Sequence, residues 1–400
     1  MSEVKEEWRE LEGEVEETLR ETFSDVRATV RKNLAALVLG LVMVLRTPRG
    51  WYGKLSLSGI SRGMATRGEL KARYRRLHRF LDNPRFQTEP LSAGLLQLAC
   101  GESCPSLVPL LVDQTAVGEV QVLTASYPVD GRAIPLSMAT FEYGELLSSQ
   151  NRLEEEFLQR LAAALPRESR LVWIMDRGYG RVALLALCRK EDWLFIIRGR
   201  SAVCVEYQQE GKMKRLSLGR LPHRQGEAQR YRGVFYQGKK RERVDIIVYR
   251  EKGFKEPWFL LVPSDSEELL PTGTVVQLYR SRMRIEVTFR DFKSWLGVRG
   301  LHLKVRKAAR LNRLLTALAL GYILLLALGE SRLAQQLRRE MEILRKKARH
   351  GTRRTLSVLS LALMLLTDPL LLNLVNLSNI LKECLLALRC NQALKMELWV

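Results

Sequence analysis

Four residues near the start of the last third of the chain, Tyr279, Arg282, Glu286 and Lys293, are spaced three, four and seven apart. At about 100° of turn per residue they fall within roughly 60° of one another, so a helix here carries a phenol, a guanidinium, a carboxylate and an ammonium on one stripe. A carboxylate ringed by cations suits a metal ion that meets phosphate. A lone acid cannot hold a catalytic metal pair, so Glu286 needs partners. Asp291 is not one of them, because five residues carry it about 140° round the helix.

Two aspartates qualify. Asp113 closes the apolar run 107–113 and Asp176 closes the run 170–176, and turn-compatible residues follow each, Gln-Thr and Arg-Gly-Tyr-Gly. Both runs read as buried strands. Acids at the ends of neighbouring strands can converge, and a third from a helix packed across the sheet completes an oxygen cage for two Mg²⁺ ions about 4 Å apart. In such a cage one ion activates the attacking water or hydroxyl and the other stabilises the leaving oxygen, which is phosphoryl-transfer chemistry. Strand-terminal aspartates also serve as turn and cap residues, so only the combination carries weight.

Composition agrees with a polyanionic partner. Lys and Arg number 65 against 44 Asp and Glu, for a net charge of +21 and a pI of about 10. Nucleic acid is favoured over an anionic membrane surface because the basic residues spread over several segments. From Arg27 to Arg85 there are fourteen Lys and Arg against Glu69 and Asp82. The core of this stretch, 67–81, has helical apolar spacing, and Arg73, Arg75, Arg76 and Arg79 are read as DNA-backbone contacts, the alternative being a solvated helix face. Two apolar runs, 34–45 and 314–328, are shorter than the ~20 residues of a membrane span and read as core helices. The second follows a basic start at Lys304, Arg306, Lys307, Arg310 and Arg313. Six cysteines without a CxxC pair fit a reducing compartment, and Cys100 and Cys104 have no neighbouring histidine to make a zinc half-site. The acidic first residues lack the pattern of a signal peptide, so a cytoplasmic location is expected.

The elements that must position the acids follow from the patterning. An acidic helix over 1–25 precedes the basic segment. Strands are expected at 107–113, 120–127 and 132–140, the last two joined by Asp130-Gly131 as a hairpin, then a helix at 149–165, a strand at 170–176, a helix at 181–189 and a strand at 193–198. This order is α/β. Residues 199–264 read as β-rich, 273–291 as the helix bearing the stripe, and the Leu-rich tail as helical with a basic linker at 338–354 and a break at Asp368-Pro369.

Leu111-Val-Asp113-Gln-Thr, Ile174-Met-Asp176-Arg-Gly-Tyr and Tyr279-x2-Arg282-x3-Glu286-x6-Lys293 together resemble the DDE transposases of bacterial insertion sequences, in the group with the Tyr-Arg-Glu-Lys signature. The resemblance spans about 107–304. It implies an α/β fold with an RNase H-like mixed-sheet core in two parts, 101–198 and 266–330, interrupted by a β-rich insertion at 199–265. A helical basic DNA-binding region at 1–100 and a helical region at 331–400 flank it. It implies Asp113, Asp176 and Glu286 as catalytic ligands of Mg²⁺, for which Mn²⁺ substitutes, and phosphate contacts by Tyr279, Arg282 and Lys293. It also implies that Trp258, in an apolar strand shortly before the signature helix, stacks on a base flipped out of the duplex, for which an indole face is suited. Core packing is the alternative for Trp258, and ion pairing with Glu286 is the alternative for Arg282 and Lys293. The activity implied is cut-and-paste transposition through a hairpin intermediate, by a homodimer holding terminal inverted repeats and target DNA at the bacterial nucleoid. An RNase H-like nuclease or resolvase without strand transfer, and a non-enzymatic DNA-binding descendant, are the rivals.

Overall fold

The computed structural model describes every residue except 1, 47–54, 66–67, 102–104, 210, 238–240, 302–307, 349–352, 369–375, 391–393 and 395–400. Cys104, Pro369 and the basic start at Lys304, Arg306 and Lys307 lie outside the described residues. The chain opens with helices α1 (Ser2–Thr22), α2 (Ala28–Leu45), α3 (Leu57–Gly63), α4 (Leu70–Leu81) and α5 (Ser92–Cys100). Next come β1 (Leu107–Val117), β2 (Val120–Val129), β3 (Arg132–Phe141), α6 (Gln150–Ala164), β4 (Arg170–Met175), α7 (Val182–Lys190) and β5 (Leu194–Arg198). Five further strands, β6 (Cys204–Gln209), β7 (Lys212–Ser217), β8 (Ala228–Tyr236), β9 (Glu242–Tyr249) and β10 (Trp258–Pro263), precede α8 (Thr272–Arg280) and α9 (Met283–Arg290). Helices α10 (Ala308–Glu330), α11 (Arg332–Met341), α12 (Val358–Thr367) and α13 (Leu377–Arg389) complete the described chain.

All ten strands form one mixed sheet in the order β3-β2-β1-β4-β5-β10-β9-β8-β6-β7. The turns β1–β2 and β2–β3 are two-residue hairpins, and Gly118 and Gly131 each adopt φ 62, the left-handed conformation such tight turns require. At the centre, β1, β4 and β5 are parallel. Their unbroken apolar runs are explained by burial on both faces, as parallel strands demand. The β-rich character of 199–265 holds, and its last strand returns beside β5, with Leu260 opposite Arg198, so these strands lengthen the same sheet.

Two packed layers sandwich the centre. Leu111, Ile174, Ile196, Leu260 and Val262 point to the face covered by Val275, Val276, Tyr279 and Ile285 of α8 and α9. Val112, Met175 and Ile197 point the other way, into the larger core shared with α6, α7 and the terminal helices. Period-two alternation along a strand makes this split, so residues 113, 176 and 198 share the α8–α9 face.

The two apolar runs form helices longer than expected, 18 residues in α2 and 23 in α10, long enough by length and composition to cross a membrane. In α10, 83% of the most apolar window is buried within the protein, which is what a core helix does. Acidic α1 packs against basic α13 through Lys382–Glu10 (2.8 Å) and Arg389–Glu14 (2.5 Å), so the terminal regions share one helical body. The expected linker at 338–354 begins inside α11 instead, where Arg338 is buried and donates to Gln335. Gly329 marks the α10–α12 contact: a Cβ there would lie deep inside contact distance of the Val358 carbonyl oxygen. Gly329→Ala should therefore lower unfolding free energy by about 1–3 kcal/mol, read from urea melts, because backbone cannot yield as a side chain can. An unchanged midpoint would show that the two helices are free to separate.

Candidate active site

Asp113 does not end its strand, as the sequence reading had it, because β1 runs on to Val117 as the long arm of the hairpin with β2. What ends there is the parallel ladder with β4, whose last pair is Val112↔Met175. The next residues, Asp113 within β1 and Asp176 one past the end of β4, follow that pair by the phase of the α8–α9 face, and the charge of Asp176 acts on Asp113. The same step on the neighbouring pair, Met175↔Ile197, sets Arg198 beside Asp176. One row across three parallel strands therefore reads carboxylate, carboxylate, guanidinium.

Each aspartate is held by backbone. Asp113 Oδ1 accepts the Gln114 N–H at 2.8 Å, and Asp176 Oδ1 accepts the Gly178 N–H at 2.7 Å. Glycine at 178 keeps the approach close, since a Cβ would stand 3.0 Å from that oxygen. Burial pushes the Asp113 carboxyl above its usual range; the Gln114 N–H and Arg282 oppose this, and the charges of Asp176 and Glu286 add to it. The three acids are near enough to feel one another, and like charges in a low-dielectric cleft favour a cation.

The helix expected over 273–291 is pinched. Ser281 Oγ donates to Leu278 O at 2.6 Å, and through 281–285 the backbone bonds shorten to three-residue steps, such as Ile285 N–H to Arg282 O at 3.2 Å. A serine competing for the carbonyl ladder causes such tightening. Beyond Arg290 the turn widens to five-residue steps, Leu296 N–H to Asp291 O at 2.9 Å, over Asp291–Trp295. The stripe survives as a cluster rather than one helical face. Arg282 donates to Asp113 Oδ2 at 3.2 Å and to Glu286 Oε1 at 2.6 Å, bridging two of the three acids. Lys293 reaches instead across to Thr115 Oγ1 at 2.5 Å, on the same strand face as Asp113. Tyr279 is buried and its ring lies edge-on to Trp258 at 5.1 Å, with Tyr249 on that indole's other flank at 5.9 Å. Trp258 is half-buried as the first residue of β10, in contact with the apolar layer under α8.

Asp291 faces away, as its phase requires. It is 1% exposed and binds Arg132 and the Tyr322 hydroxyl, both at 2.8 Å.

Of the four basic residues singled out on α4, only Arg75 and Arg79 are exposed. Arg73 donates to Met64 O at 2.9 Å and Arg76 to Asn33 Oδ1 at 2.7 Å, so these two brace the helical body. Spacing explains the division: 73, 76, 77 and 80 form the inner stripe and 75 and 79 the outer. Arg198 escaped the sequence reading. It lies 3.6 Å from Glu256, and its charge acts on the buried Tyr279 phenol. Its signal was available, because it closes the apolar run 193–198 as Asp176 closes 170–176.

Among the described residues no three His, Cys, Asp or Glu side chains stand close enough to form a ready metal cage. The donor set nevertheless fits a hard divalent cation, being three carboxylates and no sulfur. A guanidinium already lies between two of them, which marks the place where positive charge is favoured.

Residues 143–324 match the family model described as the transposase DDE domain. The match, over 182 residues, supports a DDE transposase family and a transposase-like function. It covers Asp176 and Glu286 and begins after Asp113, which the sheet register adds. No curated protein matches the chain.

Proposed function

We propose that the chain is a cut-and-paste transposase, of the Tyr-Arg-Glu-Lys group, that cleaves DNA at the ends of a mobile element and joins those ends to a target duplex. One observation carries this reading: Asp113 and Asp176 each directly follow the last pair of adjacent parallel strands, Val112↔Met175, and Arg282 ties Asp113 to Glu286 of α9. On this reading β1–β5 with α6–α9 make an RNase H-like core, and 199–265 is its β-rich insertion.

Asp113, Asp176 and Glu286 would hold Mg²⁺, or Mn²⁺ in its place, which when bound would supply the charge that makes water and a 3′-hydroxyl nucleophilic and stabilises the departing oxygen. The remaining work falls to the chain. Arg282, freed from its two carboxylates, presents a planar fork to a phosphate; Lys293 adds a point charge and Arg198 a second fork. Tyr279 orients Arg198 and backs Trp258, whose indole stacks on an extruded base. Arg75 and Arg79 follow the backbone of the terminal repeat. Nicking, hairpin formation, reopening and strand transfer then proceed at one site, with a second copy holding the other end.

The test uses purified protein, Mg²⁺, a target plasmid and a duplex carrying an inverted repeat sought in the DNA flanking the gene. Plasmid joined to the duplex 3′ end, with hairpin-ended intermediates, is the expected result. Cleavage without joining would make the chain a nuclease or resolvase, and binding without cleavage a non-enzymatic DNA-binding protein.

A further inference from the structure

Glu154, on α6, is a buried carboxylate that the chemistry above does not use, and it is 4% exposed. Both of its oxygens are taken. Oε2 accepts from Arg181 Nη1 at 2.5 Å and Oε1 from the Gln150 amide at 2.8 Å. Each partner leads toward a different aspartate. Arg181 ends the turn that begins at Asp176: the Tyr179 N–H donates to Asp176 O at 3.2 Å and the Arg181 N–H to Tyr179 O at 2.7 Å. Within that turn the Gly178 N–H holds Asp176 Oδ1. Gln150 also donates to Gln114 Oε1 at 3.0 Å, and the Gln114 backbone N–H is the group that holds Asp113 Oδ1. One buried acid is thus tied to both segments that present the paired aspartates.

Strand geometry explains how the tie is made. Asp113 faces α8 and α9, so alternation along β1 turns Gln114 to the opposite face, where Phe157, Leu158 and Leu161 of α6 pack. The two jobs fall to adjacent residues. The Gln114 amide nitrogen is engaged as well, by Gln121 Oε1 (2.9 Å) and the Tyr143 hydroxyl (3.1 Å), which fixes the side chain at both ends. On the other arm Arg181 depends on Glu154, because its Nε and Nη2 are buried without a hydrogen-bond partner and the next acid, Glu155, stands 3.9 Å away. The Tyr179 phenol is buried beside this arm, with the Arg181 guanidinium 6.0 Å from its ring centre. Burial pushes that phenol well above its usual range, and the charges of Glu154, Asp113 and Asp176 add to the effect.

We propose that Glu154 is a positioning residue for the proposed phosphoryl transfer, holding Asp113 through Gln150 and Gln114 and Asp176 through Arg181, so that the two carboxylates keep one mutual placement. Two cations about 4 Å apart tolerate little drift in the acids that hold them. Partners behind such ligands set their orientation, and losing one costs about 10–100-fold in metal affinity or activity. The inference rests on the three-acid reading of the site.

Removing Glu154 outright would leave the Arg181 charge unpaired, so the tie is cut by milder means. Gln150→Met and Gln114→Met break the Asp113 arm while the Glu154–Arg181 pair and the Gln114 N–H stay in place. Glu154→Gln keeps the side-chain shape and weakens both arms. Mn²⁺ binding to the full chain is measured by calorimetry, kcat and KM by cleavage of end-labelled duplex, and stability by urea melts. Each variant should weaken Mn²⁺ binding and lower kcat by about 10-fold or more, with KM for the duplex unchanged. The double variant Gln114→Met with Gln150→Met should fall no further than Gln114→Met alone, because both cut one chain of bonds, whereas unlinked losses multiply. If Glu154→Gln or Gln114→Met folds poorly, Gln150→Met decides by its Mn²⁺ affinity at an unchanged urea midpoint. Unchanged Mn²⁺ affinity in the folded variants, or losses that multiply in the double variant, would reduce Glu154 to a brace for α6 and overturn the proposal. The site reading would still stand provided that Asp113→Ala abolishes Mn²⁺ binding. Should Asp113→Ala bind Mn²⁺ as the unaltered chain does, or the unaltered chain bind none, the three-acid reading falls and the positioning role with it.

Discussion

Asp113→Ala, Asp176→Ala and Glu286→Ala should each lower strand cleavage by on the order of 1,000-fold or more, since loss of a metal ligand removes several kcal/mol of transition-state charge stabilisation and each ~1.4 kcal/mol is tenfold in rate. DNA affinity should stay the same or rise. Each substitution removes a negative charge from a surface that the duplex backbone approaches, so repulsion falls while the cations remain. Cleavage is read on gels with end-labelled duplex and binding by anisotropy with Ca²⁺ present. Full cleavage activity in any one variant would overturn the three-acid site. A parallel loss of binding and cleavage would instead show that the acids hold the cleft's shape.

Asp291→Ala should behave in the opposite way. Asp291 lies five residues from Glu286 and is 1% exposed, between Arg132 and the Tyr322 hydroxyl. Its removal leaves the Arg132 guanidinium, whose side chain is 11% exposed, without its partner. Breaking one side of a buried ion pair costs about 3–5 kcal/mol, because the remaining charge keeps its desolvation penalty. A urea melt should show a loss of that size for Asp291→Ala and little change for Glu286→Ala, whose side chain is 45% exposed. A loss below about 1 kcal/mol would mean that water reaches Arg132. Two acids on neighbouring turns are thereby separated by measurement into one for chemistry and one for architecture.

Several features of the site were legible in the chain. Asp113, Asp176 and Arg198 each close an apolar run, and a run buried on both faces must end where polar groups meet solvent, so its last residue is a natural mount for chemistry. The phase of Asp291 against Glu286 was equally plain, because 3.6-residue periodicity depends only on local backbone. The β2–β3 hairpin was marked by Asp130-Gly131, whereas the turn at Gly118 was not read. The β-rich character of 199–265 was marked by composition, and its partner strand was not: nothing local says that β10 would pair with β5.

Other assignments depended on what lies opposite. The basic helix α4 looked uniform, yet Arg73 and Arg76 turn inward because Met64 and Asn33 wait there. The stripe at 279–293 assumed one regular helix, and Ser281 and the wide turn at Asp291–Trp295 altered its phase, sending Lys293 to Thr115. Arg282 had two readings, phosphate ligand or partner of Glu286. In the folded chain without DNA it pairs with Glu286 and reaches Asp113 as well, and the phosphate contact belongs to the proposed function.

What the sequence determined by itself was the inventory: three carboxylates, the cations near them, an excess of 21 positive charges, and strands and helices in α/β order. These follow from periodicity and residue chemistry, which act over a few positions. Tertiary structure alone decided that Asp113 and Asp176 follow the last pair of neighbouring parallel strands, that Arg198 comes next to them across the sheet, and that Arg282 spans Asp113 and Glu286. Such choices rest on contacts between residues as far as 169 positions apart, as from Asp113 to Arg282, and only packing of the sheet against α8 and α9 selects among them.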